Sequence, residues 1–271
     1  MKVLVSVDIE GVAGVTHFDQ TSPGNPEYER ARRLMTAEAS AAVEGALAGG
    51  ATEVLVNDSH GHYRNMIPEL LHPAAMLIQG KPRPLGMMAG IETGVDAVMM
   101  VGYHAGAHSS GILAHTMNGF AFSRVWIGEH DASEALIYGA LAAEFGVPVV
   151  LISGDDVLVD EGRRLFPLAQ AVEVKRATGC IAGTSLSPQE ACRRLKEAAQ
   201  RALAALPAAS AAPPAPFGCR VQVRNSAMAD LFSLLPFVER TDPVTVCFTA
   251  PSMLYTVRVL ASLSAMAQSL R

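Results

Sequence analysis

Two carboxylates stand at the end of the first apolar run of the chain. The run begins at Lys2, and Asp8 and Glu10 lie at its carboxyl end with a single residue between them. Because side chains alternate along a strand, both carboxylates point to the same side. Like charges held that close repel, and a shared proton or a metal cation relieves the repulsion. The alternative interpretation is that one of the pair only caps the following turn.

Histidines follow two further apolar runs in the same way. His60 comes shortly after residues 53–57, and His104 comes shortly after residues 97–101. In an open parallel sheet, ligands bind outside the carboxyl ends of the strands. We therefore expect both imidazoles to converge on the place where the two carboxylates lie.

Glu134, in the first turn of a predicted helix, is the natural fifth member of this set. The helix dipole alone also explains a glutamate at that position. Two imidazoles and three carboxylates suit zinc, with manganese or cobalt as alternatives. Because five ligands exceed what one tetrahedral zinc requires, two metal ions bridged by a carboxylate fit better.

His115 lies in a glycine-bounded loop that follows the His104 strand. A histidine that titrates near neutrality is the usual proton shuttle, although a loop histidine bonded to the backbone is the alternative interpretation. The sequence contains no GxSxG elbow, Walker loop or GxGxxG fingerprint, and this disfavours hydride transfer and P-loop phosphate chemistry.

The elements that position these side chains alternate between strand and helix. Apolar runs predict strands at the amino terminus and at 53–57, 75–79, 97–101, 121–127 and 147–153. Helical patterns cover 27–48, 85–93, 132–145, a segment that begins near Asp156, and 187–206. This alternation predicts an α/β fold with a mostly parallel sheet and helices on both faces.

One segment has the composition of a linker. Residues 207–216 consist only of Ala, Ser and Pro, a composition typical of linkers. We therefore predict a catalytic metal-binding domain at 1–206 and a small C-terminal α/β portion at 217–271.

The bulk composition excludes several classes of protein. The net charge of -5, without a clustered Lys/Arg stripe, argues against nucleic acid as the main partner. The mean hydropathy is +0.25, yet no apolar run approaches the roughly 18–20 residues of a membrane helix. The four cysteines form no CxxC pair and are expected to be reduced thiols. With no visible signal peptide, we expect a cytoplasmic protein.

Several motifs together resemble one known family. They are Val-Asp-Ile-Glu-Gly-Val-Ala-Gly at 7–14, Tyr28–Glu38, Val54–His60, Gly102-Tyr103-His104-Ala105, His115 with Met117, Glu134, and Gly154-Asp155-Asp156. In this order they resemble the zinc-dependent D-aminopeptidase family, the DppA-like peptidases. The resemblance covers essentially the whole chain and weakens after about residue 160.

The resemblance implies a function and a set of roles. The ligands of the family's two zinc ions would fall on Asp8, Glu10, His60, His104 and Glu134, with Asp8 as the bridge. Its catalytic histidine would fall on His115, as an acid/base or, alternatively, as a nucleophile. The family implies aminopeptidase activity on short peptides, with N-terminal D-residues such as D-alanine as the expected substrates. It also implies a homodecameric ring with the active sites on an inner channel.

Other functions are compatible with the same site. A dinuclear centre polarises a phosphoryl oxygen as well as a carbonyl, so a metal-dependent amidase or phosphoesterase is a second candidate. The sequence reveals no Arg/Lys clamp beside the ligands, and this disfavours the phosphoesterase. An L-aminopeptidase and a non-catalytic peptide- or metal-binding protein are the remaining alternatives.

Overall fold

The structure, a computed structural model, describes residues 1–204 and 206–271. Its strands are β1 (Lys2–Val7), β2 (Glu53–Asp58), β3 (Ala75–Ile78), β4 (Ala97–Val101), β5 (Phe122–Ile127), β6 (His130–Asp131), β7 (Val149–Asp155), β8 (Gln170–Gly179), β9 (Ala182–Ser185), β10 (Phe217–Val223), β11 (Glu239–Asp242) and β12 (Thr245–Ala250). Its α-helices are α1 (Pro26–Ala48), α2 (Glu134–Glu144), α3 (Asp156–Leu165), α4 (Pro188–Ala202), α5 (Ser226–Phe232) and α6 (Met253–Ala267).

The first sheet has the order β3-β2-β1-β4-β7-β8-β9. Pairing is parallel from β3 to β8, and β9 at the edge is antiparallel. Side chains of β1 alternate between two cores, because Val3 and Val5 pack with α1 and α4 whereas Leu4 packs with the core that contains α2 and α6. The strand is therefore covered on both faces, which explains its nearly unbroken apolar sequence. The predicted mostly parallel sheet is confirmed.

The second sheet is antiparallel and has the order β11-β12-β10-β5-β6. Two of its strands, β5 and β6, precede residues 207–216, and the other three follow them. Val125 of β5 lies opposite Val221 of β10, and both are buried. The segments on either side of 207–216 thus share one sheet and one core. The domain boundaries at 206 and 217 stay a prediction.

The predicted helix at 85–93 is wrong. Two short 3-10 turns, Gly86–Met88 and Ile91–Thr93, occupy this segment. Gly90 between them has φ of 104°, which lies in the left-handed region that a right-handed α-helix excludes. A Cβ at this position would lie 2.7 Å from Ile78 Cδ1. The glycine therefore allows the segment to cross closely over the sheet.

The hairpin of β8 and β9 was not predicted from the sequence. Its strands carry Glu173, Lys175 and Arg176, and this polar composition hides the strand pattern. The helix predicted at 187–206 ends at Ala202, and Ala205 lies outside the described residues. In the part of the chain that the structure describes, no helix has the length and apolar character needed to cross a membrane.

Candidate metal centre

The candidate site begins where the chain leaves β1. The backbone N–H of Asp8 donates to Val101 O at 2.9 Å, and the N–H of Gly11 donates to Gly102 O at 2.8 Å. A Cβ on Gly11 would overlap the carbonyl oxygen of Tyr103. Glycine at this position thus lets the segment after β1 lie directly on the segment after β4, so the side chains at the two strand ends meet.

Asp8, Glu10 and His60 meet at the ends of β1 and β2. His60 Nδ1 lies 3.3 Å from Asp8 Oδ1 and 2.7 Å from Glu10 Oε2. The two carboxylates are only 2 % and 3 % exposed. Because burial makes two adjacent charges costly, this arrangement requires a compensating proton or cation.

His104 and Glu134 lie on the other side of Asp8. His104 Nε2 is 3.5 Å from Asp8 Oδ2 and 3.3 Å from Glu134 Oε1. Glu134 is the first residue of α2, directly after the N-cap Ser133. The two oxygens of Asp8 therefore face different imidazoles, which is the arrangement that a bridging carboxylate needs.

His115 reaches the same cluster from the loop between β4 and β5. Its Nε2 lies 4.0 Å from Glu10 Oε1 and 3.9 Å from Glu134 Oε1. Its ring stacks on the His104 ring with centroids 4.1 Å apart and an interplanar angle of 9°. The structure thus brings all six residues singled out in the sequence into one place.

The loop that carries His115 is held in an uncommon conformation. Leu113 and Met117 have φ of 55° and 60°, in the left-handed region that bulky residues rarely adopt. The N–H of Met117 donates to Glu134 Oε1 at 2.6 Å, and the N–H of Ile112 donates to Asp155 Oδ2 at 2.6 Å. Contacts at both ends therefore fix the loop over the cluster.

Each of the three histidines has one ring nitrogen bonded to a backbone carbonyl. The pairs are His60 Nε2 with Thr21 O at 3.0 Å, His104 Nδ1 with Ala105 O at 3.0 Å, and His115 Nδ1 with Leu113 O at 2.8 Å. Because a carbonyl only accepts, each neutral imidazole donates there and turns the lone pair of its other nitrogen toward the carboxylates. Lone pairs on nitrogen and oxygen that face each other repel unless a cation lies between them.

Two buried atoms of the cluster have no hydrogen-bond partner among the described residues. They are His104 Nε2 and Glu10 Oε2. Buried polar atoms are otherwise almost always paired, and these two face other potential ligands: His104 Nε2 faces Asp8 and Glu134, and Glu10 Oε2 faces His60. The donor set therefore fits a metal ion of the zinc type, for which imidazole nitrogen and carboxylate oxygen are ordinary ligands.

The pKa values of the two β1 carboxyls are displaced in opposite directions. Burial and the charge of Glu10 raise the pKa of Asp8 well above its usual range. Burial also opposes ionisation of Glu10, but the neighbouring His60 outweighs it and holds the pKa of Glu10 well below its usual range. The pKa values of two carboxyls in contact move apart in this way because both groups cannot ionise freely without a cation.

The imidazoles respond to these charges. Burial opposes protonation of His104, but Glu134 outweighs it and raises the pKa of His104 to about 10. The charge of Glu10 likewise raises the pKa of His60, against the effect of burial. Burial and the neighbouring His104 lower the pKa of His115. His115 is therefore the imidazole of the cluster that is most readily neutral.

Two groups of three residues could each hold a metal ion, because within each group the potential ligand atoms lie within 4.8 Å of one another. One comprises His104, His115 and Glu134, and the other comprises Asp8, Glu10 and His104. His60 belongs to neither group, although it directly contacts both carboxylates of the second. His115, which we predicted as a catalytic residue, is itself a member of the first group, so its position also fits a metal ligand.

The cluster opens into a cavity of about 830 Å³. Its lining includes Asp8, Glu10, His60, His115 and Glu134 of the cluster and the three basic residues Lys81, Arg83 and Arg258. Basic side chains thus line the same cavity as the candidate ligands, although the sequence alone reveals no Arg/Lys clamp beside them. Lys81 and Arg83 flank a cis-proline in an irregular segment, and Arg258 comes from α6. No local sequence pattern predicts that these segments meet.

A buried lysine also escaped the sequence analysis. Lys175 of β8 is 3 % exposed, and its Nζ donates to the backbone oxygens of Glu10 and of Val15, the latter at 2.5 Å. Glu38 of α1 accepts from the N–H of Ala13 at 2.8 Å. Through these hydrogen bonds to its backbone, the two side chains fix the segment after β1. The role of Lys175 depends on β8, a strand that was not predicted from the sequence.

The chain is similar to D-aminopeptidases in family, in sequence and in structure. The D-aminopeptidase family model matches residues 1–262. A D-aminopeptidase of Bacillus subtilis (strain 168) is 33% identical over 269 residues, which cover 98% of this chain and 98% of that protein. A solved structure, the Zn-dependent D-aminopeptidase DppA from Bacillus subtilis, described as a self-compartmentalizing protease, has a TM-score of 0.94 at 32% identity and covers 99% of this chain and 98% of its own.

Proposed function

Because the chain belongs to the D-aminopeptidase family, we propose that it is a zinc-dependent aminopeptidase that releases N-terminal D-residues, such as D-alanine, from short peptides. The observation that carries this proposal is the convergence of carboxylates and imidazoles beside one cavity. Such a donor set is suited to metal-assisted hydrolysis. A cavity of about 830 Å³ accommodates a short peptide beside it.

Two zinc ions are proposed per chain. The proposed ligands are Asp8, Glu10, His60, His104 and Glu134, with Asp8 as the bridge. The separate contacts of the two Asp8 oxygens, with His60 and with His104, support the bridging role. When bound, zinc would polarise the substrate carbonyl and lower the pKa of a water molecule.

His115 is proposed as the group that moves protons. With Nδ1–H donated to Leu113 O, Nε2 carries the lone pair and faces the cavity side of the cluster. The lowered pKa of His115, caused by burial and His104, favours the neutral form that accepts a proton. Nε2 would take a proton from the attacking water and then donate it to the leaving amine nitrogen. Stacking on His104 keeps the ring in this orientation.

Assembly into a homodecameric ring is a further part of the proposal. The solved relative is described as self-compartmentalizing and matches nearly the whole chain. Large apolar side chains on the surface, including Leu168 and Leu234 at 73% exposure each, are compatible with subunit contacts. Mass photometry should reveal particles of ten 28.5 kDa chains, and a monomer alone would contradict the assembly. A cytoplasmic location stays a prediction.

The function is tested with paired stereoisomers. D-alanyl-D-alanine and L-alanyl-L-alanine are offered to the purified chain as isolated, after removal of metal with a chelator, and after addition of zinc. We expect cleavage of the D-dipeptide, loss of cleavage on chelation and recovery with zinc. Cleavage of the L-dipeptide alone would overturn the D-specificity, and zinc-independent cleavage would overturn the metal mechanism.

A further inference from the structure

The cavity has a basic part that the proposed hydrolysis does not use. Lys81 and Arg83 lie on the segment between β3 and β4, and Arg258 lies on α6. Arg258, Ala261, Ser262 and Ala265 of α6 line the cavity and lie three or four positions from one another, so they share one face of the helix; Ser264 and the following Gln268 also contribute to the lining. The small neighbours of Arg258 on this face leave room around its guanidinium group.

The charges of these three residues are not neutralised by the protein. Within the described ranges, no carboxylate lies within 4.0 Å of any of their nitrogens. Lys81 Nζ donates to Gly61 O at 3.1 Å, and Arg83 Nη2 donates to Asp58 O at 2.5 Å. These partners are backbone carbonyls without a net charge. The basic part of the cavity therefore retains its attraction for an anion.

One aromatic side chain connects the basic part with the metal-ligand cluster. Arg83 Cζ lies 3.8 Å from the centre of the Tyr63 ring, and Lys81 Nζ lies 5.7 Å from it. The Tyr63 phenol lies close enough to Asp8 and Glu134 to respond to their charges. Tyr63, Lys81 and Arg83 line the same cavity as Asp8 and Glu134, so that one short peptide in this cavity can contact both charged regions.

We propose that Lys81 and Arg258, supported by Arg83, bind the C-terminal carboxylate of the peptide substrate. This inference rests on the proposed aminopeptidase function and deepens it. The substrate class is then short peptides with a free C terminus, held with the scissile bond at the cluster and the carboxylate at the basic residues. Arg83 is a positioning residue, because its guanidinium is also bonded to the end of β2 through Asp58 O.

The chemistry of the substrate supports this assignment. A short peptide at neutral pH has one full negative charge, at its C terminus. Hydrogen bonds between charged groups are worth about 1.5–3 kcal/mol, so that loss of the carboxylate weakens binding about tenfold or more. Because a longer peptide would place its C terminus beyond the basic residues, the same contact also selects for length.

The test compares D-alanyl-D-alanine with its C-terminal amide on the zinc-loaded protein. The wild type should cleave the free acid with a kcat/KM about tenfold or more above that of the amide. Lys81→Met and Arg258→Met, which keep the apolar stem of each exposed side chain, should lower this ratio, and the double variant should bring it close to one. The change should lie mainly in KM for the acid, since binding and not chemistry is altered.

The matched control is Arg33→Met. Arg33 is an exposed arginine on α1 outside the cavity lining, so its removal should leave the ratio unchanged. Zinc content and kcat/KM for the amide should stay constant in all variants. A wild type that cleaves both substrates equally, or variants that keep the discrimination, would overturn this inference while the proposed function stands. Cleavage of neither substrate would overturn the proposed function itself.

Discussion

At the level of single residues, the main feature of the site is that imidazole nitrogens face carboxylate oxygens. The Nδ1 of His60 and the Nε2 of His104 both face Asp8, one at each carboxylate oxygen. Their other nitrogens are bonded to backbone carbonyls, so each ring has a fixed orientation. A cation between these atoms converts every repulsive pair in the cluster into a favourable contact. This is the physical reason to assign the cluster to metal binding.

Replacing His115 with alanine separates metal binding from proton transfer. We expect His115→Ala to retain its zinc and to lower kcat by roughly 10²–10⁴-fold, the usual contribution of a general acid or base. Zinc content by mass spectrometry and steady-state hydrolysis of D-alanyl-D-alanine measure the two effects. The exposed His130 offers a matched control, since His130→Ala should change neither quantity. Loss of zinc from His115→Ala would instead make His115 a ligand, as its proximity to His104 and Glu134 allows.

Replacing Asp8 with asparagine tests the bridge. Asp8→Asn keeps the size of the side chain but removes the charge that a bridging ligand supplies to both ions. We expect fewer than two zinc ions per chain and loss of hydrolysis. Asp160→Asn, at an exposed carboxylate that is paired with Arg163, is the matched control and should keep both. Full zinc occupancy in Asp8→Asn would contradict the bridging role.

At the level of elements, the segment after β1 depends on β8, which lies three positions away from β1 in the sheet. Lys175 of β8 satisfies the carbonyls of Glu10 and Val15, and Glu38 of α1 accepts from Ala13. Burial raises the pKa of Glu38 to about 7 and lowers the pKa of Lys175 to about 8. Buried polar groups of this kind are retained where they hold backbone in place.

Lys175→Met should therefore affect both stability and metal binding. Each carbonyl left without a partner costs about 1–3 kcal/mol, and the Glu10 backbone loses its anchor. We expect a lower midpoint of thermal unfolding together with weaker zinc binding in a competition titration. Lys196→Met, which removes only an exposed ion pair with Glu44, should cost at most about 1 kcal/mol and leave zinc binding unchanged. Equal effects of the two substitutions would show that Lys175 does not position Glu10.

The sequence predicts the ligand positions because they follow a local rule. Asp8, His60 and His104 each come within three residues of the end of an apolar strand, and parallel strands end at one edge. The residues that escaped prediction depend on packing between distant segments. Lys175 lies on a polar strand, and Arg258 reaches the cavity only because α6 packs beside the site. The two 3-10 turns within 85–93 were not predicted, because helix propensity alone does not reveal the left-handed conformation of Gly90.

At the level of the whole molecule, the two sheets bring the C-terminal segment to the candidate site. Pairing of β10 with β5 ties residues after 216 to the strand that follows the His115 loop. The side chain of Asn118, at the end of that loop, donates to Ser264 Oγ of α6 at 2.9 Å. The second sheet therefore supports α6 as a wall of the cavity, and the C-terminal segment is part of the site's construction.

Removal of zinc should destabilise the whole fold. A metal ion that binds the folded chain and not the unfolded one raises the free energy of unfolding by mass action. Without it, the buried carboxylates of β1 lose their compensating charge. We expect chelation to lower the midpoint of thermal unfolding by several degrees and zinc to restore it. Asp8→Asn should show a smaller shift, and an unchanged midpoint in the wild type would contradict a buried metal centre.

The most direct test of the central claim is a titration of the metal-free protein with zinc, followed by the rate of D-alanyl-D-alanine hydrolysis. If the cluster around Asp8 holds two ions that act together, the rate rises until two equivalents per chain are bound and then stays level. A plateau at one equivalent would contradict the dinuclear centre. A rate that is independent of zinc would contradict the account as a whole.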